Sequence, residues 1–171
     1  MPSSISNVAR SGAGPTEKEQ AIQYIEAVSH EQPYHRTIFL AGGITDCPGW
    51  QRDLVLELHS TNLTVYNPRR ANFPIGDPSA AQEQIAWEHE KLHVADAVSF
   101  WFPCETLCPI VLFELGAALE RHQHLVVGVH EQYPRRQDVE VQCGLQRDGM
   151  IVMMGWEAYV GMVLTIADEM T

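Results

Sequence analysis

From residue 37 onward, short apolar runs alternate with longer segments whose apolar positions fall three and four residues apart. TIFLA (37–41), LTVYN (63–67), AVSFWF (97–102), LVVGVH (125–130) and GMIVMM (149–154) carry almost no polar alternation. Such runs predict strands buried on both faces. Between them, Trp50, Leu54, Val55 and Leu58 share one helical face, and Ile85 and Leu92 mark a helix that ends near Asp96. Residues 109–121 form the next helix, and a last one starts at Trp156. Strands each followed by a helix predict a parallel sheet, and right-handed crossovers make it a doubly wound α/β layer with five strands.

Ahead of this rhythm, residues 1–15 are rich in Ser, Gly, Pro and Asn and are expected to be a disordered arm. Thr16 and Glu19 have capping-box spacing, and Ile22, Ile25 and Val28 continue it at helical spacing, so an extra N-terminal helix is expected over 16–30. Residues 37–171 then make up a single α/β domain, a reasonable size for a chain of 171 residues.

Composition narrows the chemistry. A net charge of −11 leaves no basic stripe to release counterions, which argues against a nucleic-acid polymer as partner but not against a small nucleotide. No run approaches the roughly 18 apolar residues of a membrane span. Cys47, Cys104, Cys108 and Cys143 are irregularly spaced, and no second pair completes a zinc site. Without a signal peptide they are expected to be reduced thiols in a cytoplasmic protein. The eight histidines are not expected to form a metal site, and no organic cofactor is expected either.

In a doubly wound sheet, ligands bind beyond the carboxyl ends of the strands. That rule selects GGITDCPGW, YNPRR, PCETLCPIVLFE and HEQYPRRQDV as the segments able to carry chemistry. Within them, PIVLFELGAAL has one charge, Glu114, five residues after a Pro suited to a first helical position. The positive end of that helix favours an ionised carboxylate there. Glu114 is then a nucleophile or an anion that grips substrate, or else it turns to solvent or pairs with Arg121. Glu88 lies between Ile85 and Leu92 at spacings of three and four, on the inward helix face. Two inward carboxyl groups flanking one strand are the equipment of glycosidic-bond cleavage, although Glu88 alone reads equally as a boundary residue. Gly42 and Gly43 let backbone approach a ligand, with Asp46 on the same loop. Arg69 is a candidate for a phosphate or carboxylate, or a residue of a solvated turn. Trp50, Trp87, Trp101 and Phe102 are candidates for stacking on a flat base, with the core as the alternative.

Together, FLAGGITD, YNPRR, WEHEKLHVADAVSFWF and PIVLFELGAALE resemble the nucleoside 2-deoxyribosyltransferase superfamily, particularly its deoxyribosyltransferase-like branch, over about residues 37–165. The resemblance implies a flavodoxin-like sheet and cleavage of the N-glycosidic bond of 2'-deoxynucleosides through a covalent glutamyl sugar. The sugar then passes to another base or, in a related branch acting on nucleoside monophosphates, to water. It implies Glu114 as nucleophile and Glu88, where the family usually has Asp, as acid/base. Gly42, Gly43 and Asp46 fall in its sugar and base loop, and Asn67 lines its pocket. The Asp that grips the base in some transferases is replaced by Cys108, leaving Glu105 as the nearest acid. The serine-rich phosphate cradle is missing, with Arg69 a possible substitute. The family also implies a homo-oligomer, in which Asp138 or the C-terminal tail acts on a neighbour's site. A non-catalytic nucleotide-binding sensor and a protein-interaction module remain open beside the enzyme reading.

Overall fold

The computed structural model describes residues 22–74, 76–121 and 124–170. Eleven main elements follow one another: β1 (Gln23–Glu26), β2 (Arg36–Gly42), α1 (Trp50–Glu57), β3 (Leu63–Asn67), α2 (Pro78–Val94), β4 (Ala97–Phe102), α3 (Pro109–Leu119), β5 (His124–Val129), α4 (Arg136–Gln146), β6 (Met153–Met154) and α5 (Trp156–Met170). All strand pairs are parallel, in the order β1-β3-β2-β4-β5-β6. The last five strands of that order reproduce the flavodoxin-like arrangement, and β1 is added at the β3 edge.

Each strand's lack of polar alternation follows from helices on both faces. In β2, Phe39 and Ala41 join the core cluster beneath α2, α3 and α4, while Ile38 and Leu40 join the one beneath α1 and α5. β4 divides likewise, with Val98, Phe100 and Phe102 on the first side and Ala97 and Trp101 on the second. At Gly128 on β5, an added Cβ would lie 2.5 Å from Tyr159, so α5 packs on the strand at a distance only Gly permits.

Two expectations are corrected. The sheet has six strands, not five, because Gln23–Glu26, expected within a helix over 16–30, is an edge strand paired with Thr64–Asn67. Thr64 Oγ1 donates to Gln23 Oε1 at 2.8 Å, Asn67 Nδ2 donates to the Tyr24 hydroxyl, and Ala71 N donates to Glu26 Oε1 at 2.8 Å. The open backbone edge of β3 thus captures a segment whose apolar spacing alone reads as helical. The capping box at Thr16 and Glu19 lies outside the described residues, as does the arm over 1–15. The GMIVMM run pairs only through Met153 and Met154.

Loop connections set the site. Asp77 caps α2 by accepting from Ser79 N at 2.9 Å, with Pro78 as the first helical residue. Asp96, just past α2, accepts from Thr37 N at 2.8 Å and from Arg36 at 2.7 Å, which fixes the end of α2 against the start of β2. No helix among the described residues is long and apolar enough to cross a membrane.

Candidate active site

In chain order the connection from β2 goes to β3 on one side, and the connection from β3 returns across β2 to β4. This reversal opens a crevice beyond the carboxyl ends of β2 and β4. A cavity of about 300 Å³ sits there. Gly42 and Gly43 form part of its wall, Pro68 and Glu88 another, and Thr106, Cys108 and Glu114 a third.

Glu114 comes from the second turn of α3, whose side chains divide sharply. Val111, Leu115, Ala118 and Leu119 are buried against the sheet, while Ile110 and Phe113 are exposed. Glu114 lies at the boundary between these faces and so reaches the cavity. Among the described residues no hydrogen bond or ion pair engages its carboxyl, and Arg121 instead donates to His93 Nε2 at 2.6 Å. Burial, followed by the nearby charge of Glu88, pushes the Glu114 pKa up to about 7. The expected preference of the helix start for an ionised carboxylate is therefore outweighed. A helix terminus contributes about 0.3–1 kcal/mol, whereas a rise from 4.5 to about 7 corresponds to roughly 3 kcal/mol against the ion.

Glu88 comes from the third turn of α2. The buried face of that helix is Ala80, Gln84, Trp87, Lys91 and Leu92. Ile85, expected to face the core, is 64% exposed and lines the mouth of the cavity. Glu88 is half-buried at the border, also facing the cavity. Burial raises its pKa, and a hydrogen bond from Gln84 Nε2 at 2.6 Å opposes the rise. Two carboxyl groups in one cavity disfavour each other's ionisation, and here the charge of Glu88 adds to burial in raising Glu114.

The other expected residues separate into lining and support. Trp50 is 4% exposed, and its Nε1 donates to Gly43 O at 2.9 Å beneath the loop. An added Cβ at Gly42 would meet the Trp50 ring at 2.4 Å and the Trp101 carbonyl at 2.5 Å. Trp50, Trp87, Trp101 and Phe102 are all core residues and none lines the cavity. Asn67 is buried between Tyr24 and the Arg69 amide, whose N donates to Asn67 Oδ1 at 3.0 Å. Arg69 directs its guanidinium to Pro48 O at 2.7 Å and Cys47 O at 3.1 Å, so it clasps the β2–α1 loop. Asp46 and Glu105 are exposed and outside the cavity lining, where Thr45 and Thr106 stand beside them. Asp138 pairs with Arg135 at 2.9 Å on the surface of α4.

Backbone strain gathers at this edge. The two non-Gly residues with positive φ among the described residues are Asp46, at 56°, and Cys108, at 47°. Both lie on loops bordering the cavity, and such conformations persist where surrounding structure holds them. Cys108 caps α3, lines the cavity and is 5% exposed. Burial pushes its thiol up to about 12, so it is a neutral wall and a poor nucleophile. Among the described residues no group of three or more His, Cys, Asp or Glu side chains could hold a metal ion.

A family model described as nucleoside 2-deoxyribosyltransferase like matches residues 35–133, more than half of the chain. The chain belongs to this nucleoside 2-deoxyribosyltransferase-like family. The matched stretch runs from the start of β2 past β5 and contains every residue that lines the cavity. No curated protein matches the chain significantly. As a member of the family, the protein brings together Glu88, Glu114, Gly42 and Gly43 and leaves Trp50, Asn67 and Arg69 as the frame around them. Sequence reading missed Gln84, although its spacing four residues before Glu88 on one helix was visible.

Proposed function

We propose that the protein cleaves the N-glycosidic bond of (2-deoxy)nucleosides and transfers the sugar to another base. The observation that carries this reading is the pair of carboxyl groups in one cavity, Glu114 raised to about 7 by burial and by Glu88. Of the singly protonated forms of the pair, the reactive one carries the proton on Glu88 and leaves Glu114 ionised. Glu114 then attacks C1' as the bond from C1' to the base nitrogen breaks, through an oxocarbenium-like transition state. The electron pair of that bond goes to the base, and Glu88 delivers a proton to the departing nitrogen. In the second half, Glu88 takes the proton from an incoming base, whose nitrogen attacks C1' and releases Glu114. The apolar walls limit water around the glutamyl sugar, which favours transfer over hydrolysis.

Incubation with a deoxynucleoside and a second free base tests this directly. The expected result is a new nucleoside and a free base, lost in Glu114→Ala and reduced about 10²–10⁴-fold in Glu88→Gln. Free sugar in place of a new nucleoside would make it a hydrolase. Binding without any turnover would make it a sensor.

A further inference from the structure

We propose that Gln84 is the positioning residue for Glu88: locked by the Pro68 carbonyl, its amide occupies one oxygen of the Glu88 carboxyl and assigns the catalytic proton to the other. The inference rests on the acid/base role of Glu88 given above.

Gln84 is buried on α2, one turn before Glu88. Its Nε2 lies 2.6 Å from Pro68 O and 2.6 Å from Glu88 Oε1. A side-chain amide has two N–H donors on that nitrogen, one for each acceptor. Turning the amide round would set its oxygen against the Pro68 carbonyl, acceptor facing acceptor. The backbone of the β3–α2 loop therefore dictates that Gln84 meets Glu88 as a donor. The orientation holds even though it leaves Gln84 Oε1 buried without a partner.

The consequence for Glu88 is stereochemical. An oxygen that receives an N–H cannot also carry the acidic proton toward Gln84, because Nε2 has no lone pair to accept it. The carbonyl oxygen of a neutral carboxyl is the stronger acceptor, so Oε1 keeps that role and the proton favours Oε2. Pro68 itself lines the cavity, so one amide ties the cavity wall to the acid. The titratable groups that share the cavity with Glu88 are Glu114 of α3 and the thiol of Cys108, the residue just before that helix. The β2 wall contributes Phe39, Ala41, Gly42 and Gly43, none of which titrates. A donor on the ionised form also holds Glu88 below where burial alone would set it.

The test combines a titration that needs no turnover with kinetics. Carboxyl carbon NMR of the protein, with Glu88 assigned by its loss in Glu88→Gln, is followed against pH in wild type, Gln84→Met and Gln84→Ala. Both variants are expected to raise the Glu88 midpoint by about half a unit or more. In wild type the Gln84 side-chain amide protons are expected to follow that same midpoint, which keeps the test intact should neither variant fold. Kinetically, Gln84→Met is expected to lower kcat about 10–100-fold with KM little changed. In the Glu88→Gln background the same substitution is expected to add no further loss. An unchanged Glu88 midpoint, or amide protons blind to it, overturns the contact. An equal loss of kcat in both backgrounds overturns the positioning role. A wild-type protein without turnover overturns the proposed reaction instead, and the titration still decides whether Gln84 governs Glu88.

Discussion

Glu114 shows how one side chain can oppose stability while serving chemistry. Its folded pKa, about 7, lies above the ordinary 4.5. A raised carboxyl pKa contributes stability that is fully present below the unfolded value and is lost as pH rises through the folded one. The wild-type protein is therefore expected to lose stability between pH 4.5 and about 7 on account of this group. Glu114→Gln removes the ionisation and keeps the shape. It is expected to stabilise the protein at pH 8 by about 2 kcal/mol, after allowance for partial exposure, or about 4–8 °C in Tm, and to do little at pH 4. Thermal unfolding at the two pH values checks this, and an equal Tm for both proteins at pH 8 would show that the carboxylate is not destabilised. The same pair predicts a bell-shaped dependence of kcat/KM on pH. The acid limb reports protonation of both carboxyls and the alkaline limb loss of the shared proton. An alkaline limb near 7 that disappears in Glu88→Gln would match this assignment; a flat profile from pH 5 to 8 would contradict it.

Among the elements, the loops at the carboxyl ends of β2 and β3 form one unit held by Arg69. Its guanidinium bonds to Pro48 O and Cys47 O, and it reaches Gln51 Oε1 at 3.4 Å. Gln51 and Trp50 both donate to Gly43 O, at 3.1 Å and 2.9 Å, so Arg69 stiffens the glycine wall from beneath. Arg69→Ala is expected to raise KM about 10-fold with a smaller change in kcat, since the loop loses charge-assisted bonds of about 1.5–3 kcal/mol each in part only. Equal effects on nucleosides with and without a phosphate would fit a clasp. A loss confined to phosphorylated substrates would mean that Arg69 contacts the phosphate. The edge strand β1 teaches a related lesson. Ile22, Ile25 and Val28 suit a helix by spacing, but four residues are too few for periodicity to arbitrate, and pairing with β3 decides the outcome. Tyr24 and Glu26 then reach the second loop, where they hold Asn67 and Ala71.

For the whole molecule, charge predicts substrate preference. The chain carries −11, its cavity holds two carboxyls, and Arg69 is committed to loop carbonyls. Among the described residues no Lys or Arg lines the cavity. A 5'-phosphate brings about two negative charges toward that wall. Unphosphorylated deoxynucleosides are expected to exceed their monophosphates in kcat/KM by at least about tenfold, a gap of about 1.4 kcal/mol that narrows as salt screens the repulsion. Competition between the two substrates at low and high ionic strength measures this, and a monophosphate preference would redirect the reading toward the nucleotide hydrolases.

Much of this is legible in the amino-acid sequence. The apolar runs of β2 through β5 report a sheet covered on both faces, because a strand with helices above and below has no solvent-facing row of side chains. The order of strands and helices implies parallel pairing, and with it the sheet edge where ligands bind. Glu114 stands out as a lone carboxyl among apolar neighbours, which is costly wherever the helix lies, and Glu88 by its spacing of three and four from Ile85 and Leu92. Tertiary packing governed the rest. Whether Trp50 and Asn67 line a cavity or support its wall depends on the rotation of each side chain about the loop, which has no signature in residue type. The same holds for Arg69, whose five donors suit a phosphate and a set of backbone carbonyls equally well. Gln84 acquires its bearing on Glu88 only once the Pro68 carbonyl stands opposite its amide. The rise in the Glu114 pKa likewise comes first from burial in the assembled fold and then from a second carboxyl on another helix, neither of which spacing along the chain encodes.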